Sequence, residues 1–274
     1  MNYLNCAHIP ENNFSRPLVS WVLCSNVENN HLKLSIESCL SQTYDHFELV
    51  FIANGQDATR VAQAVRGWFG TDTRVRVFET SIHQLSFSLS LGLHHARGTL
   101  IARMDSDDIS SSNRLEQQVA FMSERPDVLV LGTNYEIIDN EGTVKSKVIL
   151  PESDKLIRQA LIRGNPFCHP SVMFRRQVIL EAGGYLGGLH AEDYDLWARL
   201  SLNPNCRFAN LSKICLGYRV IGIGFTRRSR WAYASTASSQ FRNFLVGGGL
   251  RWLFASVISV IKLILRLWPI RTLK

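Results

Sequence analysis

No Asp or Glu occurs after Asp195 in this chain of 274 residues. Thirteen of the 30 Lys and Arg lie beyond that point, so the first 195 residues carry −6 and the remainder +13, for a net of +7. A basic segment on a mildly acidic body points to an anionic partner: membrane, phosphate groups or nucleic acid. No recognition motif accompanies the charge, so nucleic acid is not expected. No uncharged apolar run of 18 residues appears, so no spanning helix is expected. The N-terminal stretch MNYLNCAHIPENNFSRP has neither a basic n-region nor an apolar h-region, so no signal peptide is expected; residues 1–16 read as a variable extension. The six cysteines form no CxxC pair, and Cys24 and Cys39 fall inside apolar patterns. Buried reduced thiols in a cytosolic protein are expected, rather than a zinc site or a disulfide framework.

What is present is regular. A hydrophobic fraction of 46% supports one large domain with appendages. The near-continuous apolar runs LVSWVLCS (18–25), FELVFIAN (47–54) and TLIARMD (99–105) read as strands covered on both faces. RVRVFET (74–80) alternates with period two, and VLVLGTNYEIID (128–139) is a long strand closed by a turn at 140–142. Segments 31–43, 57–69, 86–98 and 114–124 have helical spacing, with Asp57 as an expected N-cap and Gly98 as an expected helix stop. The second half is less regular: 169–185 reads as strand, short helix and Gly-Gly turn, 192–202 as a helix, and 206–220 as strands returning to the sheet. The alternation predicts an α/β fold with a mostly parallel central sheet flanked by helices. Ligands in such sheets bind beyond the carboxyl ends of the strands, here Ser25-Asn26, Asn54-Gly55 and Asp105 to Asp108.

The last of these, in LIARMDSDDIS (100–110), places three carboxylates within four residues. Like charges at a strand end are costly without a counter-ion. Three arrangements produce such a cluster. An EF-hand would use Asp105, Asp107 and Glu116, but Ile109 and Ser110 are wrong for its fifth and sixth positions and no helix precedes it. A cap for the helix at 114–124 would need one acid only. A divalent cation bridging a diphosphate, Mn²⁺ or Mg²⁺, would use the cluster as oxygen ligands.

SIESCLSQTYDHFEL, ARMDSDD, NPFCHPSVMFRR and EDYDLW occur in the order found in family 2 nucleotide-diphospho-sugar glycosyltransferases, and residues 17 to 220 resemble that family. The resemblance implies a GT-A (Rossmann-like) fold and a nucleotide-sugar donor. It implies that Asp105 contacts the ribose and that Asp107 or Asp108 holds a metal on the diphosphate. The Asp of the ED pair, Asp193, would be the general base of an inverting transfer, although Glu192 and Asp193 also suit a plain helix N-terminus. His169 matches a position near the site, with a structural His as the alternative. Arg103 would reach a phosphate or a core carboxylate, and Arg219 would neutralise diphosphate. Trp197 would stack on a sugar or fill the core, and His94 and His95 read as structural.

Two departures stand out. Where the family has an Asp-Asp-Gly-Ser-like run, this chain has Ala53-Asn54-Gly55-Gln56, so Asn54 replaces the Asp that reads the base. An amide can both accept from a base N–H and donate to a base carbonyl. After YRV (218–220) the family often supplies a His, and here Ile221 and Gly222 follow.

Residues 250–271 are apolar, with Arg251, Lys262, Arg266 and Arg271 interspersed and Trp252 and Trp268 near the ends. This reads as a C-terminal amphipathic helix lying on an anionic membrane surface, the alternative being a helix packed on the domain or on a partner. The expected organisation is an extension (1–16), a GT-A domain (17–225) and a basic helical tail (226–274). The expected activity is transfer from a UDP-sugar or related donor to a polyprenyl-diphosphate-linked or other saccharide acceptor, in surface polysaccharide assembly on the cytoplasmic face of the bacterial inner membrane. A degenerate, non-catalytic binding protein is the rival reading. A nucleotidyltransferase is a weaker one, because SNVENN (25–30) is no phosphate loop. Acceptor choice is expected in loops 140–168 and 203–248.

Overall fold

Every residue of β1 (Val19–Ser25), β2 (Phe47–Asn54) and β4 (Leu100–Met104) is buried in the computed structural model. The structure describes residues 16–187, 190–220 and 230–267. Alternate residues of each strand feed two cores: Trp21 and Leu23 pack with Leu32, Ile36 and Val61 on one face, and Val22 and Cys24 with Leu89, Leu93 and Ile52 on the other. That two-sided cover explains why these strands have no polar face. The helices responsible are α1 (Asn30–Leu40), α2 (Ala58–Phe69), α3 (Leu85–His95) and α4 (Arg114–Glu124).

The remaining elements are β3 (Val75–Thr80), β5 (Ile109–Ser110), β6 (Val128–Ile138), β7 (Val144–Val148), α5 (Asp154–Leu161), β8 (Met173–Arg175), α6 (Arg176–Glu181), α7 (Glu192–Leu200), β9 (Arg207–Arg219), α8 (Arg230–Asn243) and α9 (Leu250–Leu267). The sheet order is β3-β2-β1-β4-β8-β6-β9-β5, with β7 paired to β6. β3, β2, β1 and β4 are parallel, and so are β6 and β9. β8 runs antiparallel to β4 and β6, β7 to β6, and β5 to β9. The parallel half was legible as βαβ units; the other half has no such repeat, and its long β9 is one strand of 13 residues rather than several.

Several local expectations change. Asp57 stands at the N-cap of α2 as expected, but its side chain makes no cap bond and lies 3.5 Å from Arg60. Gly98 does not stop α3, which ends at Ala96. It is required because a Cβ there would lie 2.6 Å from the Leu18 carbonyl oxygen, where the chain crosses β1. The stretch 140–168 is not all loop but holds β7 and α5. The cysteines at 24, 39, 168, 206 and 215 are buried and in no disulfide, and Cys6 lies outside the described residues. His95 stacks on Phe78 with ring centroids 3.8 Å apart, as a structural residue.

The basic C-terminal segment joins the domain. α8 packs on α7 through Asp195, whose carboxylate accepts from Arg199, Arg242 and Ser239. α9 packs on α8 through its small and polar side: Ser256 donates to the Ala237 carbonyl at 2.9 Å and Ser259 to Gln240 at 2.7 Å. Trp252 is not an interfacial residue but is buried in the core, over Gly248, where a Cβ would come within 2.6 Å of its ring. Trp268 and Arg271 lie outside the described residues, as do 221–229 with Arg227 and Arg228. The opposite face of α9 exposes Phe254, Val257, Ile258, Ile261, Ile264 and Leu265, with Arg251 and Lys262 beside them. Among the described residues no helix is long and apolar enough to cross a membrane.

Candidate active site

The parallel strands deliver their carboxyl ends to one edge of the sheet, and two cavities open there. One, of about 400 Å³, lies between the ends of β1 and β2 and the start of α3, and includes Ser25, Asn54, His83, Asp105 and Glu192. The other, of about 600 Å³, is walled by Tyr135 and Tyr218 of β6 and β9, by Asn165, His169 and Asp193, and by Ala232 and Thr236 of α8. Asp105 and His190 line both cavities.

Asp105 follows the buried end of β4, and its carboxylate meets the Arg103 guanidinium at 2.5 Å. Arg103 is 2% exposed, and two of its nitrogens, Nε and Nη1, have no hydrogen-bond partner. Burial works against its charge, but Asp105 outweighs this and holds it protonated. Asp105, Asp107 and Asp108 bring one carboxylate oxygen each within 4.8 Å of one another. Burial, then the charge of Asp105, pushes the Asp107 and Asp108 carboxyls above the usual range. Asp108 is 1% exposed; its Oδ1 accepts from the Arg219 backbone N–H at 2.8 Å, and its Oδ2 is buried with no partner. Three crowded hard oxygen donors, one of them orphaned, fit a divalent cation such as Mn²⁺ or Mg²⁺.

Arg219 has a different set of contacts from that expected. Its Nε donates to the Asp107 carbonyl, and its Nη1 to the carbonyls of Asp139 and Asn140, each at 2.7 Å. It ties the acidic loop to the turn after β6. Arg114, which the sequence pattern did not single out, performs a similar task in the core. It is fully buried and donates to the carbonyls of Arg103, Pro170 and Val172 while lying over Trp21 at 4.7 Å. It joins β4 to the turn at His169–Ser171. No local pattern distinguishes it, because two of its three carbonyl partners lie more than fifty residues away.

Asp193 begins α7 and faces the larger cavity. Its Oδ1 accepts from the Tyr194 N–H at 2.7 Å and its Oδ2 from the Asn165 side chain. Glu192 lines the smaller cavity instead, and burial followed by the Asp193 charge raises its carboxyl to about 7. His169 pairs with the Tyr185 hydroxyl at 2.9 Å, and burial together with Arg103 keeps its ring neutral. Trp197 is fully buried against Phe167 and Phe174, so it is a core residue and no sugar platform. His190 was not anticipated: it is exposed at the junction of the cavities with φ 69°, a left-handed conformation uncommon outside glycine. Such outliers concentrate at functional sites.

The Glycosyl transferase family 2 profile matches residues 20–184. The chain belongs to that family. This family 2 chain is 39% identical over 230 residues to the O-antigen biosynthesis glycosyltransferase WbnJ of Escherichia coli, covering 83% of this chain and 89% of WbnJ. It is 27% identical over 225 residues to the UDP-Gal:alpha-D-GlcNAc-diphosphoundecaprenol beta-1,3-galactosyltransferase of Escherichia coli, covering 80% of each. The fold is shared with S. aureus TarS 1–349 in complex with UDP, at TM-score 0.59 and 18% identity over 81% of this chain and 65% of TarS. It is shared also with the mannosyltransferase PcManGT of Pyrobaculum calidifontis in complex with GDP-Man and Mn²⁺, at TM-score 0.58 and 14% identity over 93% and 82%. The structure thus has the GT-A architecture expected from the sequence, with a C-terminal helix added.

Proposed function

We propose that the chain is an inverting, metal-dependent transferase that moves a sugar from a UDP-sugar or related donor to a lipid-linked saccharide acceptor during surface-polysaccharide assembly. The observation that carries this reading is the pair of cavities meeting at Asp105 and His190, with the carboxylate triad beside one and Asp193 in the other. The smaller cavity takes the nucleotide and the larger takes the acceptor. The acceptor hydroxyl attacks the anomeric carbon from the face opposite the diphosphate; its oxygen forms the new C–O bond as the bond to diphosphate breaks. The electron pair leaves with the nucleoside diphosphate, and the proton passes to Asp193, which Tyr194 and Asn165 hold in orientation. The transition state is oxocarbenium-like. Asp107 and Asp108 would hold the cation, whose positive charge neutralises the leaving diphosphate. The names of the relatives support the polysaccharide setting and a polyprenyl-diphosphate acceptor.

Calorimetry with UDP, with and without Mn²⁺, tests the donor site. Metal-dependent binding is expected. No binding of UDP, GDP or dTDP under either condition would replace this reading with that of a non-catalytic binding protein.

The exposed apolar face of α9, with no acid anywhere in the basic segment, supports peripheral attachment to anionic lipid on the cytoplasmic face of the inner membrane. Vesicles containing phosphatidylglycerol should co-sediment the protein, in a salt-sensitive way, and Ile258→Asp with Ile261→Asp should lose most of that binding. Sedimentation equal to that with neutral vesicles, or a dimer abolished by the same substitutions, would assign the face to another partner.

A further inference from the structure

We infer that His169 donates a hydrogen bond from its Nδ1–H to an oxygen of the acceptor saccharide in the larger cavity, and that the Tyr185 hydroxyl holds the ring in the tautomer that can do so. This inference rests on the acceptor-site reading above. His169 lines that cavity together with Asp193, and Tyr185 lies behind it, 5% exposed. A neutral imidazole carries one hydrogen, and either nitrogen can hold it. Tyr185 decides which. Burial keeps its phenol protonated despite the Arg103 charge nearby. Its O–H needs an acceptor, and among the described residues the one within reach is His169 Nε2, at 2.9 Å. A hydrogen on Nε2 would leave that buried O–H without a partner, which is costly. The hydrogen is thereby assigned to Nδ1. Nδ1 has no partner among the described residues and is not sealed by protein, so its hydrogen is offered to the cavity that the ring lines.

The ring is held in place. Trp197 packs edge-on against it with centroids 6.4 Å apart, and Tyr185 lies at 5.5 Å. Its backbone belongs to the short turn His169–Ser171, which is pinned on both sides: Ser171 donates to the Cys168 carbonyl and Arg114 to the Pro170 carbonyl, each at 2.8 Å. Burial and the Arg103 charge keep the imidazole neutral, so it donates at Nδ1 and accepts at Nε2. Asp193 and His169 then have complementary tasks. On the proposed mechanism Asp193 takes a hydrogen from the attacking hydroxyl. His169 gives one to a second oxygen of the same sugar, a hydroxyl or an acetamido carbonyl. Two such contacts fix a sugar ring that one alone would let swing. Tyr185, which acts through His169, is a positioning residue.

The test begins with the full chain carrying ¹⁵N-labelled histidine, in the presence of UDP and Mg²⁺. Long-range proton–nitrogen correlation, with the His169 signals assigned by their loss in His169→Asn, should show a protonated Nδ1 and a bare Nε2. Tyr185→Phe should turn that single tautomer into a mixture. Transfer is then followed as UDP release from UDP-sugars in the presence of GlcNAc linked through diphosphate to a short lipid, the acceptor class of the Escherichia coli galactosyltransferase. Tyr185→Phe should raise the acceptor KM about threefold to tenfold, more than it lowers kcat, and change UDP affinity by less than about twofold. His169→Asn, which keeps an amide N–H near the Nδ1 position, should stay within that range, and His169→Leu should exceed it. A hydrogen on Nε2, a charged ring, or the same pure tautomer in Tyr185→Phe would overturn the inference. So would an acceptor KM indifferent to Tyr185→Phe while transfer proceeds, which would leave the acceptor site standing. UDP binding without transfer to the lipid-linked probe would remove the acceptor reading, and this inference with it.

Discussion

Asp193→Asn should lower turnover by about 10²- to 10⁴-fold while changing UDP affinity by less than about twofold, since a positioned general base contributes on that scale. The substitution preserves size and leaves an oxygen for the Tyr194 N–H, so the helix start survives. What it removes, on the proposed mechanism, is the site that receives the acceptor's proton. The readout is UDP release from UDP-sugars in the presence of polyprenyl-linked acceptor, beside calorimetry with UDP. Glu192→Gln is the control: that carboxyl faces the nucleotide cavity, so its loss should act mainly on donor binding. Full activity in Asp193→Asn together with an inactive Glu192→Gln would exchange the two roles.

Asp108→Asn should make the metal-free protein more heat-stable and the metal-binding protein inactive. The Asp107 and Asp108 carboxyls are raised in the folded state, so the fold binds protons more tightly there than the unfolded chain does. Their ionisation therefore costs stability, and the cost appears as pH rises from the unfolded carboxyl range, about 4, through the raised folded values. Asn at 108 still accepts from the Arg219 N–H, and its NH₂ replaces an orphaned oxygen beside two carboxylates. Differential scanning fluorimetry without metal should show a gain of about 2–4 °C. Mn²⁺ should raise the melting temperature of the unsubstituted protein more at pH 7.5 than at pH 5, and that of Asp108→Asn at neither. Metal affinity should fall on the order of 100-fold. A variant less stable than its parent, yet still stabilised by Mn²⁺, would show that Asp108 is an ordinary buried carboxyl.

The parallel half of the sheet was legible because strands covered on both faces have no polar alternation and the helices between them keep a helical period. The acidic cluster was legible because its three members lie within four residues. The features that complete the site were not. Arg114 meets carbonyls more than fifty residues away. His190 carries no motif; its signal is a backbone conformation. In the tail, apolar residues fall on both sides of the helix, so the pattern alone did not show that Trp252 turns inward while Phe254 and Ile258 turn out.

One carboxylate ties the C-terminal helices to the helix that carries Asp193. Asp195 lies two residues beyond Asp193 on the same helix, and Arg242 and Ser239 of α8 hold it. α8 also walls the cavity into which Asp193 faces. The helix bearing Asp193 and the cavity wall facing it are clamped together at Asp195. Cutting away the basic segment would therefore strip Asp195 of Arg242 and Ser239 and open one wall of the larger cavity.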